Sequence, residues 1–133
     1  MTIKRIKVHC TQVEDKPGAL QKLLAEAAAA NVDLLCFAAF SAGTGRGKVY
    51  LSAKEPQALA DCAEKAGIEA TEAAGFLIAD EDRVGAAAET LKSLADANIN
   101  GVAGAAMVCD GQYHMLIVVE ASDADAAAEA LGA

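Results

Sequence analysis

Aromatic residues are scarce in this chain of 133 residues: Phe, Tyr and Trp together make up 4%, and Trp is absent. The hydrophobic fraction is nevertheless 54%, and much of it is alanine. Because alanine buries little apolar area per residue, either half of such a chain would gain little hydrophobic stabilisation alone. The composition therefore favours two small copies packed together over two independent modules.

Clustered cysteines and histidines are lacking as well. No Cys-x-x-Cys pair occurs, and the four cysteines are far apart: Cys10, Cys36, Cys62 and Cys109. The only histidines are His9 and His114. A structural zinc site needs closely spaced thiolate or imidazole ligands, so no metal site is predicted and the cysteines are interpreted as small buried hydrophobes. The sequence also has no nucleophile and base at a catalytic spacing and no cofactor fingerprint, which argues against an enzyme.

Positive charge is limited, with 11 Lys and Arg against 19 Asp and Glu, a net charge of -8. The only basic cluster is Lys4, Arg5 and Lys7. Nucleic acids and anionic membranes are bound by clustered Lys and Arg, so neither is a predicted partner. Neither a signal-peptide core nor an apolar run long enough to span a bilayer is present, and a cytoplasmic protein is expected.

One pattern occurs twice in the sequence. In both Glu14–Leu20 and Glu81–Ala87, an acidic pair is followed by a basic residue, a variable position and a glycine. The same spacing relates the following pairs: Asp15 and Asp82, Gly18 and Gly85, Leu24 and Leu91, Asn31 and Asn98. A spacing two residues shorter relates Leu51 to Leu116 and Gly67 to Gly132. Residues 1–70 and 71–133 are therefore predicted to be repeats of one fold.

The hydrophobic periodicity of the first repeat predicts the order strand, helix, strand, strand, helix, strand. The predicted strands are Ile3–Val13, Val32–Ser41, Lys48–Ala53 and Ile68–Ala79. This order predicts an α+β fold in which a four-stranded antiparallel sheet carries both helices on one face. The last strand would also begin the second repeat.

The second repeat follows the same plan, with strands at Val102–Cys109 and Tyr113–Glu120 joined by a hairpin turn at Asp110-Gly111. The strand Tyr113–Glu120 is apolar on both faces and so requires cover on both. Because the sequence ends at Ala133, this repeat is expected to lack its own last strand. Either its sheet is one strand short or a strand is borrowed.

Four further assignments follow from local patterns. His9 falls on the polar face of the first strand and is given no functional role. Tyr50 and Ser52 are predicted to point outward from their strand, and Ser122 is predicted to cap the last helix. The glycines of segment 43–47 are interpreted as a hairpin loop, because no helix follows to make a phosphate site.

The motif Asp15-x-Pro17-Gly18-x-Leu20, followed after one helix by Asn31-Val32-Asp33, resembles that of the ACT domain. This resemblance covers nearly the whole chain in two copies and is greatest to freestanding tandem ACT proteins. It implies two ferredoxin-like repeats, binding of an amino acid at a domain interface, and a regulatory role. The second copy departs from the motif at Val84 and Ala87.

The chemistry of the strand-to-helix corner supports a ligand site. A free amino acid presents a carboxylate, for which Gly18 and Ala19 at a helix N-terminus supply backbone N–H groups, and an ammonium, which needs an acidic or amide oxygen. Asp15 and Asn31 lie at opposite ends of one helix, so both could serve one ligand only across an interface. The candidate ligand-binding residues are Asp15, Pro17, Gly18, Ala19, Asn31, Asp82, Gly85 and Asn98.

Purely structural roles remain open for these residues. Asp15 could cap the helix, Gly18 could serve the turn alone, and Asn31 could adopt the left-handed conformation at the helix end. Two functions remain open as well. The protein is a homodimeric amino-acid sensor, or it is a ligand-free interaction module that acts as a separate regulatory subunit of a metabolic enzyme.

Overall fold

Six antiparallel strands and four helices make up the chain in the computed structural model, which describes residues 1–133. In chain order they are β1 (Thr2–Glu14), α1 (Ala19–Ala29), β2 (Leu34–Ser41), β3 (Arg46–Ala53), α2 (Pro56–Ala66), β4 (Thr71–Glu81), α3 (Ala86–Asp96), β5 (Ala103–Cys109), β6 (Gln112–Glu120) and α4 (Ala124–Leu131). The predicted α+β fold with ferredoxin-like repeats is confirmed. Both hairpin connections are also where the sequence placed them.

The elements form two compact units. The N-terminal unit comprises Lys7–Glu72, and the C-terminal unit comprises Ala73–Ala133 together with Met1–Ile6. In the N-terminal unit β3 lies between β2 and β1, and in the C-terminal unit β6 lies between β5 and β4. Each unit therefore has an apolar central strand and one edge strand that follows a helix.

The last strand missing from the second repeat is replaced by the beginning of β1. Ile3 packs against the core of the C-terminal unit. Around it, the amino group of Met1 lies 3.6 Å from Asp80 Oδ1, and Arg5 Nη1 donates a 2.8 Å hydrogen bond to Asp125 Oδ1. Of the two alternatives left by the sequence, the structure has the borrowed strand.

Each unit buries its helices on one face of its strands. In the N-terminal unit, Val49, Leu51 and Ala53 of β3 pack with Ala27 of α1 and Leu59 of α2. In the C-terminal unit the corresponding core is formed by these residues: Phe76, Ile78, Leu94, Met115, Ile117, Val119, Ala124 and Ala127. The predicted helical stripes thus contribute the core residues of each unit.

The register of the strands corrects one detail of the repeat. His9 and Phe76 are counterparts in the two repeats, because the same spacing separates them as separates Asp15 and Asp82. In the sheet, Leu51 lies opposite His9 and Ile117 lies opposite Phe76. The counterpart of Leu51 is therefore Ile117 and not Leu116. A one-residue error of this kind exchanges the two faces of a strand.

Several single-residue expectations were wrong. His9, Tyr50 and Ser52 are buried, and His9 lies on the face of β1 that α1 and α2 cover, opposite Leu51. The buried Ser52 hydroxyl donates a 2.8 Å hydrogen bond to the Lys7 carbonyl. Strand β6 is likewise buried along Met115–Val119, as its continuous apolar sequence requires.

Two expectations failed at exposed positions. Ser122 lies in a short 3-10 turn, and neither that turn nor α4 has a side-chain cap. Cys109 is exposed at the end of β5, whereas the other three cysteines are partly buried.

No helix in the structure is both long and apolar enough to cross a membrane.

Candidate functional site

The first glycine corner connects β1 to α1 through a type II turn. Ala19 N–H donates to the Lys16 carbonyl over 3.3 Å, and Gly18, the third residue of the turn, has φ 87° and ψ -14°. Such a turn favours proline at its second position and needs a positive φ at its third. Pro17 and Gly18 therefore have a sufficient structural reason to be present.

The second corner, between β4 and α3, has the same geometry. Ala86 N–H donates to the Arg83 carbonyl over 3.3 Å, and Gly85 has φ 89° and ψ 2°. Val84 stands where the first corner has proline and is fully exposed. A type II turn accepts this departure from the motif because its second position favours proline without requiring it.

Both helices begin with unpaired backbone donors. Gly18 and Gly85 are the N-caps of α1 and α3, and neither helix has a side-chain cap. After Ala19 and Lys22 have donated, the N–H groups of Gly18, Leu20 and Gln21 have no acceptor. At the second corner the unpaired donors are the N–H groups of Gly85, Ala87 and Ala88. Each corner thus presents three main-chain donors and the positive end of a helix dipole.

Both corners are accessible. A Cβ atom built on Gly18 or Gly85 would have no heavy atom within 4 Å. Glycine is required at these positions by the positive φ and not by a neighbouring side chain. The space beside each glycine is free for a small anion such as a carboxylate.

Asp15 is held in place by β2 and the loop that follows it. Its N–H donates to the Gly45 carbonyl over 3.1 Å, and its carboxylate accepts a hydrogen bond from the Ser41 hydroxyl. Asp15 therefore does not cap α1, and the capping interpretation was wrong. Sequence reasoning missed Ser41, whose only available signal was its position at the end of a predicted strand.

The second corner lacks this anchor. Asp82 N–H donates to the Gly111 carbonyl over 2.9 Å, as Asp15 does to Gly45. However, Val108 occupies the position of Ser41, and the Asp82 carboxylate has no hydrogen bond or ion pair. This carboxylate remains available to accept a hydrogen bond from a ligand.

Charged side chains flank both corners. Lys16 Nζ lies 2.7 Å from Glu14 Oε2 and lowers the pKa of Glu14 through that hydrogen bond and its charge. Arg83 Nη2 lies 2.6 Å from Glu89 Oε2 at the second corner. Close by, the Glu81 N–H donates to Asp80 and lowers the pKa of that carboxyl group. Each cation is thus paired in solvent and contributes little on its own.

Asn31 and Asn98 end α1 and α3 in the same way. Each asparagine has φ 58°. The N–H group of the next residue donates to a helix carbonyl over 2.9 Å: Val32 to Ala27 after α1, and Ile99 to Leu94 after α3. This is a Schellman motif, which needs a left-handed residue at the position of each asparagine. The structural role predicted for Asn31 is confirmed, and Asn98 shares it.

The candidate residues fall into separate groups. Asp15, Pro17, Gly18 and Ala19 lie together, whereas Asn31 is at the far end of a helix of 11 residues, about 16 Å long at 1.5 Å per residue. Asp82 and Gly85 are separated from Asn98 by α3 in the same manner. No group of three or more His, Cys, Asp or Glu side chains could hold a metal ion.

Comparison with known proteins shows similarity of structure. No protein-family model and no curated protein sequence matches the chain. Among solved structures, protein BT0572 from Bacteroides thetaiotaomicron has a TM-score of 0.75 at 13% identity, over 96% of this chain and 88% of that one. The regulatory subunit of aspartate kinase from Thermus thermophilus has a TM-score of 0.67 at 16% identity, over 98% of this chain and 93% of its own.

The corresponding subunit from Thermus flavus has a TM-score of 0.64 at 17% identity, over 98% of this chain and 94% of its own. These likenesses extend over both repeats and over nearly the full length of the similar chains. The chain therefore has the fold of the aspartate kinase regulatory subunits, that of two ferredoxin-like repeats of the ACT type.

Proposed function

We propose that this protein is a non-enzymatic, cytoplasmic regulatory protein of amino acid metabolism that binds a small amino acid at its glycine corners. The ligand carboxylate accepts hydrogen bonds from unpaired main-chain N–H groups at the start of α1 or α3. The ammonium group is bound by a carboxylate or amide oxygen such as that of Asp82, Asp15 or an asparagine.

The unpaired donors at each corner carry this proposal. None of the four helices has a side-chain cap, and α1 and α3 are the two whose N-cap is a glycine in the left-handed conformation. A carboxylate placed at a helix N-terminus gains about 0.3 to 1 kcal/mol from the helix dipole, in addition to its hydrogen bonds. Two corners with the same turn and the same unpaired donors support one kind of ligand for both repeats.

The names of the similar structures support a regulatory role. Two of them are regulatory subunits of aspartate kinase, and this chain matches each over nearly its full length. A separate regulatory chain of this kind acts by associating with a metabolic enzyme. Ligand binding would change that association only through a difference in affinity between two states of the protein.

We further propose a homodimer, in which a domain of the second chain completes the ligand site. Strand β2 is the edge strand of the N-terminal unit, and its Phe37 and Phe40 are nearly half exposed. Strand β5 is the edge strand of the C-terminal unit and exposes Met107 and Val108. Neither strand carries a charged residue, and uncharged apolar edges favour pairing with another chain.

A thermal-shift screen against the twenty amino acids tests the proposed ligand. An amino acid at about one hundred times its dissociation constant adds roughly 2.7 kcal/mol to the free energy of unfolding and raises the melting temperature by several degrees. We expect such a rise for at least one small amino acid. If none of the twenty changes the melting temperature, the alternative of a ligand-free interaction module replaces the sensor.

A further inference from the structure

His9 on β1 is a buried histidine without a hydrogen-bond partner. It is 5% exposed, and neither Nδ1 nor Nε2 contacts a donor or acceptor. A neutral imidazole has one N–H to donate and one lone pair to accept, so its burial without partners costs free energy. Protonation of the buried ring would add the cost of burying a positive charge, so burial favours the neutral imidazole.

The C-terminal unit shows what a purely structural residue at this place looks like. Phe76 occupies the position of His9, since it lies opposite Ile117 as His9 lies opposite Leu51. Phe76 is 0% exposed and belongs to the main core of its unit. An aromatic ring without nitrogen atoms thus fills the position, and the histidine adds an N–H donor, an acceptor lone pair and the capacity to take up a proton.

His9 adjoins a cavity of about 20 Å³ beneath α1 and α2. This volume is enough for a single water molecule. Of the other polar residues in its wall, Thr11 donates to the Glu69 carbonyl over 2.7 Å and Cys62 donates to the Glu26 carbonyl over 3.8 Å. Thr11 and Cys62 are therefore already engaged with other groups.

The charged groups nearest His9 lie on β1, β4 and α1. Lys7 on β1 and Glu72 on β4 form a 3.8 Å ion pair beside it, and Glu26 on α1 lines the same cavity. Burial lowers the pKa of His9, Glu72 opposes this effect, and Lys7 adds to it. Burial is the largest of these effects, so the imidazole is neutral in the folded unit.

We propose that His9 makes the N-terminal unit sensitive to acid: protonation of the ring draws water into the cavity and detaches α1 and α2 from the strands beneath them. The C-terminal unit, with Phe76 at this place, has no such response. Gly18 is the N-cap of α1, so the first glycine corner loses its geometry when the helix detaches. The second corner keeps its geometry.

The direction of the pH dependence follows from the lowered pKa. Above pH 6.5, the ordinary pKa of histidine, both the closed and the opened unit hold His9 neutral, so pH has no effect. Below pH 6.5 the opened unit binds a proton that the closed unit does not, and stability falls until the pKa of the closed unit is reached. At pH 5.5, opening is expected to be more frequent than at pH 7.5, by at most about tenfold, which is the limit reached if the closed unit takes up no proton.

Amide hydrogen exchange of the full chain at pH 7.5 and 5.5, corrected for the intrinsic exchange rate, tests the proposal. We expect protection in α1 and α2 to fall, by at most about tenfold, while protection in α3 and α4 is unchanged. His9→Phe should abolish the fall, and His114→Gln, which changes the exposed histidine, should leave it intact. Equal protection of α1 at both pH values, or the same fall in His9→Phe, would overturn the proposal.

Proton NMR of the unmodified chain gives a second test that needs no variant. The ring signals of His9 are expected to titrate below pH 6.5, or not at all before the N-terminal unit opens. Titration of His9 at pH 6.5 or above would show a ring that accepts a proton without opening the unit, and the proposal would be wrong.

Discussion

At the scale of single residues, the two asparagines illustrate how a structural and a ligand-binding role can be separated. Asn31 and Asn98 both adopt a left-handed conformation that glycine tolerates freely and that alanine tolerates poorly. Glycine keeps the helix end but removes the amide side chain. Alanine removes the amide side chain and also strains the backbone.

We therefore predict that Asn31→Ala lowers the free energy of unfolding by about 1 kcal/mol, whereas Asn31→Gly leaves it unchanged or slightly raised. Urea denaturation measures both, and Asn98→Ala and Asn98→Gly serve as the matched pair. Equal stability of the alanine and glycine variants would contradict the assigned backbone role. Loss of amino acid affinity in the stable Asn31→Gly variant would identify a direct ligand contact of the side chain.

Sequence patterns located the glycine corners but not the contacts around them. The order of an acidic pair, a basic residue and glycine predicted a strand-to-helix turn, because few residues other than glycine adopt the required φ. The hydrogen bond from Ser41 to Asp15 joins residues far apart in the sequence, and no local pattern indicates it. His9 was misplaced because alternation shows which residues share a face of a strand but not which of the two faces the helices cover.

At the scale of elements, the edge strand β2 carries exposed aromatic side chains. Phe40 stacks on Tyr50 with ring centroids 6.1 Å apart, and it is 47% exposed. Phe37 lies on the opposite face of β2, since its partner Leu51 faces the helices. The edge thus exposes an aromatic ring on each face.

We predict that replacing both Phe37 and Phe40 with serine converts the proposed homodimer into a monomer, because the apolar area that the edge would bury in the dimer is lost. Sedimentation velocity measures the change. The double variant Lys48→Ser and Gln57→Ser, which alters exposed polar residues of the same unit, is the control and should stay dimeric. A dimer that survives the loss of both rings would place the interface elsewhere.

Element order was predictable because the helices and strands alternate with clear hydrophobic periods and end at glycine, asparagine or proline. The strand register was less predictable. The second hairpin turn is shorter than the first, and the sequence does not show how many residues each strand contributes to the turn. The counterpart of Leu51 was therefore misassigned by one residue.

At the scale of the whole molecule, the beginning of the chain completes the unit formed by its end. Ile3 packs against the core of the C-terminal unit, and Lys4 beside it is exposed. The two units therefore cannot be separated by cutting the chain once between the repeats. The sequence indicated that a strand was missing, but its source is a long-range contact that a repeat pattern alone does not specify.

We predict that Ile3→Ser lowers the stability of the C-terminal unit by about 1 to 2 kcal/mol, because a partly buried apolar side chain is lost. Amide hydrogen exchange should show the loss in α3, α4 and β6, which lie far from residue 3 in the sequence. Lys4→Ser is the control and should have little effect. Faster exchange confined to α1 and α2 would contradict the assignment of Met1–Ile6 to the C-terminal unit.

The central claim is that unpaired main-chain donors at the glycine corners bind an amino acid carboxylate. Gln21→Pro removes one of these donors without breaking a hydrogen bond, and proline is tolerated in the first turn of a helix. Gln21→Ala changes the same side chain but keeps the N–H group. Removing a hydrogen bond to a charged group costs about 1.5 to 3 kcal/mol, which corresponds to roughly a 10- to 100-fold loss of affinity.

The most direct measurement is an amide NMR titration of the full chain with the amino acid that gives the largest thermal shift. We expect saturable shifts of the N–H signals of Gly18, Leu20 and Gln21 or of Gly85, Ala87 and Ala88. If the signals of the first corner shift, Gln21→Pro should weaken binding and Gln21→Ala should not. If the signals of the second corner shift, Ala88→Pro should weaken binding and Ala88→Ser should not. Binding that leaves the signals of both corners unmoved would contradict the central claim.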